Sequence, residues 1–230
     1  MDPIVIGRMD GGPRLVIEGP AALAFAFFST DASSVGPDAY DQRAGKGEPN
    51  RITSDDIRAI NQTMRARSPH SAWEPLTAAV DELPWLTAID AGWDLIATDD
   101  KDWQATGGAA LLAAAIEASV GPYRRLSVAT KVLHLKRPRL FPVLDSLVID
   151  LIGGLANVAH PAQLLLHLRQ QGRANLETLL AIQAELAARD QPLERSLVRI
   201  LDALLWSSHP AAGIAATLGD WEHLVRPRSA

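Results

Sequence analysis

The sequence predicts an all-α fold, a compact multi-helix domain behind an irregular N-terminal segment. Three observations carry this. From Thr53 onward, capping residues, apolar stripes and Gly/Pro stops follow one another along the chain. The apolar residues recur at helical spacing rather than alternating. Hydrophobic residues make up 47% and charged residues 21% of 230 residues, the balance of a globular chain long enough to bury a core.

The elements are expected as follows. Residues 1–50 form the irregular segment. Leu15-Val16-Ile17 alternates like a strand, but a strand needs a partner. Pro20 to Phe28 reads as a short apolar helix with Pro near its start, and Thr30 to Asn50 as an exposed loop. Residues 51–225 form the helical domain. Thr53 or Ser54 caps a helix with Asp55 and Asp56 in its first turn and Ile57, Ile60 and Met64 on one stripe. Further helices are expected over 76–83, 85–96, 107–120 and 123–135. Asp145 and Ser146 cap one through Ile152, which Gly153-Gly154 stops. The last three are expected at about 161–170, 174–188 and 191–206. Residues 226–230 read as a frayed basic tail.

Composition narrows the chemistry. There are no cysteines, which removes disulfides, thiolate metal sites and cysteine nucleophiles and fits a cytoplasmic setting. No apolar run approaches the roughly 18 residues of a membrane helix. The six histidines include no His-x3-His or His-Glu-x-x-His pair, so no metal is expected. No phosphate loop, nucleophile elbow or dinucleotide fingerprint occurs, and no cofactor is expected.

The net charge is −5, but it is unevenly spread. Between Ala118 and Leu144 no acidic residue occurs, while Arg124, Arg125, Lys131, Lys136, Arg137 and Arg139 all fall there. The rest of the chain holds 16 basic and 27 acidic residues. A basic stretch on an acidic protein suggests a localised anionic partner or, on the plainer reading, a solvated face. Arg137 and Arg139 are expected in a loop after Leu135, since Pro138 ends the helix.

The segment Lys131-Val-Leu-His-Leu-Lys-Arg-Pro-Arg-Leu-Phe-Pro142-Val-Leu-Asp145, with Tyr40-Asp41 and Ile52-Thr-Ser-Asp-Asp-Ile57, resembles a family of uncharacterised bacterial proteins over roughly residues 40–153. More distantly, it is similar to the core of helix-hairpin-helix DNA glycosylases. Lys131 matches the lysine of the hairpin's second helix, Asp145 the aspartate opening the next helix, and Ser127-Val128-Ala129 the hairpin turn. The resemblance implies a lysine that attacks the sugar C1′ and an aspartate that stabilises the developing charge or activates the lysine. It also implies DNA as partner, and the basic stretch then offers Arg124, Arg125, Lys136, Arg137 and Arg139 as the expected DNA-binding residues. A nucleophilic lysine must be deprotonated, and cationic neighbours favour that form. His134, three positions after Lys131, shares nearly the same helix face, either as an auxiliary proton carrier or as a structural histidine.

Other constellations are weaker. Arg65 and His70 have the Arg-x4-His spacing of helical ribonuclease toxins, but Pro69 breaks the helix between them. Asp99, Asp100 and Asp102 lie in a polar turn without a calcium-loop pattern. Two functions follow as expectations. One is a DNA-interacting glycosylase-like protein, active or degenerate. The other is a non-enzymatic helical module that binds another protein, as in a bacterial defence or toxin–antitoxin pair.

Overall fold

The computed structural model describes residues 1–29, 36–79, 81–157, 159–189, 194–212 and 225–228. In chain order the elements are β1 (Ile4–Ile6), β2 (Arg14–Ile17), α1 (Pro20–Ser29), α2 (Pro37–Asp41), α3 (Ser54–Met64), α4 (Glu74–Thr77), α5 (Pro84–Thr87) and α6 (Asp100–Ala105). They continue with α7 (Gly108–Ser119), α8 (Leu126–Lys136), α9 (Ser146–Leu151), α10 (Pro161–Ala174), α11 (Leu176–Ala187), α12 (Leu197–Ser207) and β3 (Val225–Arg228). More than half of the described residues are helical, as expected. None of these helices is long and apolar enough to cross a membrane. The chain divides into two units: Met1–Thr30 with Asp145–Ala230, and Asp31–Leu144. The boundary expected near residue 50 falls inside the second unit.

The first unit packs α1 against α11 and α12. Phe27 meets Trp206 edge-on at 5.6 Å, with Leu23, Ile200 and Leu204 fully buried in the same unit. The strand expected at Leu15–Ile17 finds two partners, in the antiparallel order β1-β2-β3. Residues 225–228 are therefore a strand rather than a frayed tail, with Val225 opposite Ile17 and Arg228 opposite Arg14. Residues 229–230 of the expected tail, and the start of the last helix at 191, lie outside the described residues.

The outer edge of β1 is closed by side chains of α10 and the residue after it. Asn175 accepts the Val5 N–H at 3.0 Å and donates to the Val5 carbonyl at 2.9 Å, as a neighbouring strand would. Gln171 accepts the Gly7 N–H at 2.7 Å, and His167 Nε2–H donates to the Gly7 carbonyl at 2.8 Å. Asp145 caps α9: its Oδ1 accepts from Leu147 and Val148 N–H at 3.0 and 3.1 Å. Gly153, at φ +67°, ends that helix in the left-handed conformation that glycine adopts without steric penalty.

The second unit is built on α3, α7 and α8. Thr53 and Asp56 form a reciprocal capping box that starts α3. The expected helix over 76–83 is replaced by a 3₁₀ turn at His70–Trp73 running into α4. The helix expected over 85–96 stops at Thr87. Asp90 accepts the Gly92 N–H, and Asp94 accepts those of Ile96 and Ala97, so these carboxylates organise turns instead. The expected polar turn at 99–102 is a helix start, with Asp99 capping α6. The exposed loop expected over 30–50 contains α2, and Tyr40 within it is fully buried.

Two stability predictions follow from the first unit. Asp145→Ala lowers the unfolding free energy by roughly 0.5–2 kcal/mol, read from urea melts, while Asp145→Asn stays near the wild type. His167 gives a pH dependence. Burial pushes its pKa below the ordinary histidine value, against the opposing pull of the Gly7 carbonyl. The unfolded chain therefore binds a proton that the folded chain refuses. Stability is full above about pH 6.5 and declines as the pH falls through that value toward the folded pKa. Thermal melts of His167→Gln lose this part of the acid-side decline.

Candidate nucleic-acid interface

Helix α8 carries the basic stretch because its apolar positions, Val128, Ala129, Val132, Leu133 and Leu135, are all buried. Only part of its circumference faces solvent, and the cations divide accordingly. Lys136 is 4% and Arg137 2% exposed. Lys136 Nζ lies 2.6 Å from Asp56 Oδ2 and donates to the Glu48 carbonyl at 3.0 Å. The same Asp56 oxygen accepts from Thr53 N–H and Oγ1 at 2.7 and 2.9 Å. The capping box of α3 is thereby also the counter-ion of a buried lysine.

Arg137 uses all five N–H bonds of its guanidinium. Nε donates to the Ile89 carbonyl at 3.1 Å. Nη1 donates to the Pro49 and Lys136 carbonyls at 2.6 and 3.0 Å. Nη2 donates to Asn50 Oδ1 and the Leu86 carbonyl at 2.7 and 2.6 Å. Burial pushes its pKa below the usual arginine value, and Asp90 partly counters this. Arg137 follows the helix as expected from Pro138, but it is buried rather than exposed, and neither it nor Lys136 presents its charge to a partner.

Arg139 is exposed and pairs with Asp94 at 3.3 Å. Arg124 donates to the Ala72 carbonyl at 3.0 Å, and its guanidinium lies 5.7 Å from the centre of the Trp73 ring. Arg125 is exposed and takes part in no ion pair among the described residues.

His134 is 1% exposed. Its Nδ1 lies 2.6 Å from the Phe141 carbonyl, which only accepts, so Nδ1 carries a proton. Its Nε2 is 4.0 Å from Asp41 Oδ1, and its ring stacks on Tyr40 at 5.5 Å. The Tyr40 hydroxyl donates to the Lys131 carbonyl at 2.6 Å. These interactions give His134 a structural place between α2 and α8. Lys131 is half-buried on α8 in the second unit, and Asp145 opens α9 in the first.

The hairpin turn differs from the expected place. Ser127-Val128-Ala129 lies in the first turns of α8. The connection from α7 is a β-turn at Gly121–Arg124, closed by Arg124 N–H to the Gly121 carbonyl at 2.9 Å. Pro122 occupies its second position and Tyr123 its third, at φ +63°. That position favours glycine, and the left-handed region costs other residues roughly 1–2 kcal/mol. Tyr123 is nevertheless 77% exposed.

Two more non-glycine residues share this conformation, Arg65 at φ 47° and Arg67 at φ 51°. Arg65 ends α3, so Arg65 and His70 do not share a helix face. Composition offers no signal for these three, because nothing in a sequence marks an arginine or tyrosine where glycine is expected. Among the described residues no group of three or more His, Asp or Glu is placed to hold a metal ion.

A helical fold in which α8 leaves Arg125 exposed before its first turn and buries Lys136 and Arg137 at its end defines the class as a helical protein with a basic turn. The chain belongs to the family of unknown function DUF6308, whose match covers residues 21–209. No curated protein and no solved structure matches it.

The inward and outward arginines should behave differently in denaturant. Arg137→Ala strands several buried carbonyls and costs at least about 3 kcal/mol. Lys136→Met leaves Asp56 buried without its ammonium and costs about 3–5 kcal/mol. Arg139→Ala, at an exposed pair, costs under about 1 kcal/mol. Urea titrations of the three variants check this order.

Proposed function

We propose that this protein binds DNA through the α7–α8 hairpin of its second unit and does not depend on base excision for that role. The observation that carries the reading is the turn at Gly121–Arg124. It is anchored from behind by Arg124 on Ala72 and Trp73, and it has Tyr123 and Arg125 exposed at its outer side. The resemblance to helix-hairpin-helix proteins supports DNA as the partner, since their hairpin is the element that meets the phosphate backbone. Lys131 and Asp145 belong to different units, so the reading rests on the second unit alone and stops at binding.

Inward placement of Lys136 and Arg137 makes the expected footprint small. Binding should therefore be of modest affinity and strongly weakened by salt, because each neutralised phosphate releases counterions. Fluorescence anisotropy with labelled DNA at low salt is expected to give saturable binding. Arg125→Ala should reduce the slope of log K against log salt by roughly 0.7–0.9, the value of one neutralised phosphate. Arg58→Ala, which removes an exposed arginine paired with Asp55, should leave the slope unchanged. Absence of binding at low salt would overturn the reading and favour a module that binds another protein.

A further inference from the structure

The loop between α3 and the 3₁₀ turn lies against the same tryptophan as the hairpin. Asn61 clamps this loop, donating to the Ser68 carbonyl and accepting the Ser68 N–H, both at 2.8 Å. Ser68 Oγ in turn accepts Trp73 Nε1–H at 2.8 Å. Trp73 is fully buried, and Arg124 of the hairpin turn covers its ring. One buried indole thus supports two segments of the second unit, Arg65–Ser68 and Gly121–Arg125.

Each segment carries exposed arginine. Arg65, Arg67 and Arg125 are exposed and form no ion pair among the described residues. Tyr123 offers an aromatic ring that is 77% exposed. Exposed Glu74 and Glu117 flank the segments along the chain, and the three guanidiniums outnumber them. Arg65, Arg67 and Tyr123 all hold the left-handed backbone, where glycine would be less strained. Strain kept at three exposed positions, two cationic and one aromatic, points to a use for the side chains rather than for the fold.

We infer that Arg65, Arg67, Tyr123 and Arg125 form a docking surface for single-stranded nucleic acid, with phosphates on the arginines and a base stacked on Tyr123. This rests on the DNA-binding reading above and deepens it. The charge complements a phosphodiester backbone, and the exposed ring selects the single strand. A base inside a duplex has both faces covered, whereas an unpaired base has a face open to an aromatic side chain. The acidic balance of the chain, −5 overall, is compatible with a short single-stranded footprint.

The strain supplies the test. Arg65→Gly, Arg67→Gly and Tyr123→Gly each remove the side chain while easing the backbone. They should melt at the wild-type temperature or higher. Binding is measured by anisotropy with labelled oligothymidylate and with a duplex of equal length. The wild type should prefer the single strand. Tyr123→Gly should weaken it by about tenfold or more, the size of one base stack, and Tyr123→Trp should restore it. The double arginine variant should lower the salt slope by about 0.7 for each phosphate it no longer neutralises.

Preference for duplex, or glycine variants that bind the single strand like the wild type, would overturn this inference and leave the DNA-binding reading intact. No binding to either form overturns both. Displacement of the oligonucleotide by polyglutamate at equal charge concentration, with Tyr123→Gly binding unchanged, would reassign the surface to an acidic peptide.

Discussion

The second unit depends on one guanidinium. Segments 42–53 and 83–98 hold little helix, and their backbone carbonyls are not all met by regular secondary structure. Arg137 meets those of Pro49, Leu86 and Ile89 from one planar group at the end of α8. A lysine there has three donors on a rotating point charge and cannot reproduce a five-bond planar fork. Burying such a cation carries a desolvation cost, which the carbonyl dipoles offset only because every N–H is directed at an acceptor. The irregular segments are thereby fixed to the helix whose other end forms the hairpin.

Beside it, Lys136 and Asp56 solve the same problem with a formal counter-ion. Asp56 has a double task, as N3 of the α3 capping box and as partner of Lys136. The start of α3 and the end of α8 are coupled through one carboxylate oxygen. Charge that looks, along the chain, like a continuous basic patch is divided by packing at the ends of α8 into an internal brace and an external remnant. Arg125 and the half-paired Arg139 belong to the remnant.

The hairpin tip is well supported for a surface turn. Arg124 holds it from behind, and a Cβ at Gly121 would overlap that guanidinium. The neighbouring loop is clamped by Asn61 and Trp73. The first unit shows a comparable use of side chains in place of backbone, where Asn175, Gln171 and His167 close the edge of β1.

The sequence by itself determined the helical class, the caps at Thr53 and Asp145, the stops at Gly153 and Pro138, and the uneven charge. These are local effects, set by side-chain hydrogen bonds to nearby backbone and by apolar spacing within one turn or two. It did not determine the short helices at 84–87 and 100–105, where Asp90, Asp94 and Asp99 chose between turn and cap according to what lay against them. Nor did it show β3, whose partner β2 lies about two hundred residues earlier in the chain. The fate of the basic residues was also decided only by tertiary structure. Whether an arginine flanking α8 meets water or a carbonyl depends on which segments pack around it, and spacing along the sequence carries no record of that. The same holds for Arg65, Arg67 and Tyr123, whose backbone is imposed by the packing of Asn61, Trp73 and Arg124 rather than by their own preference.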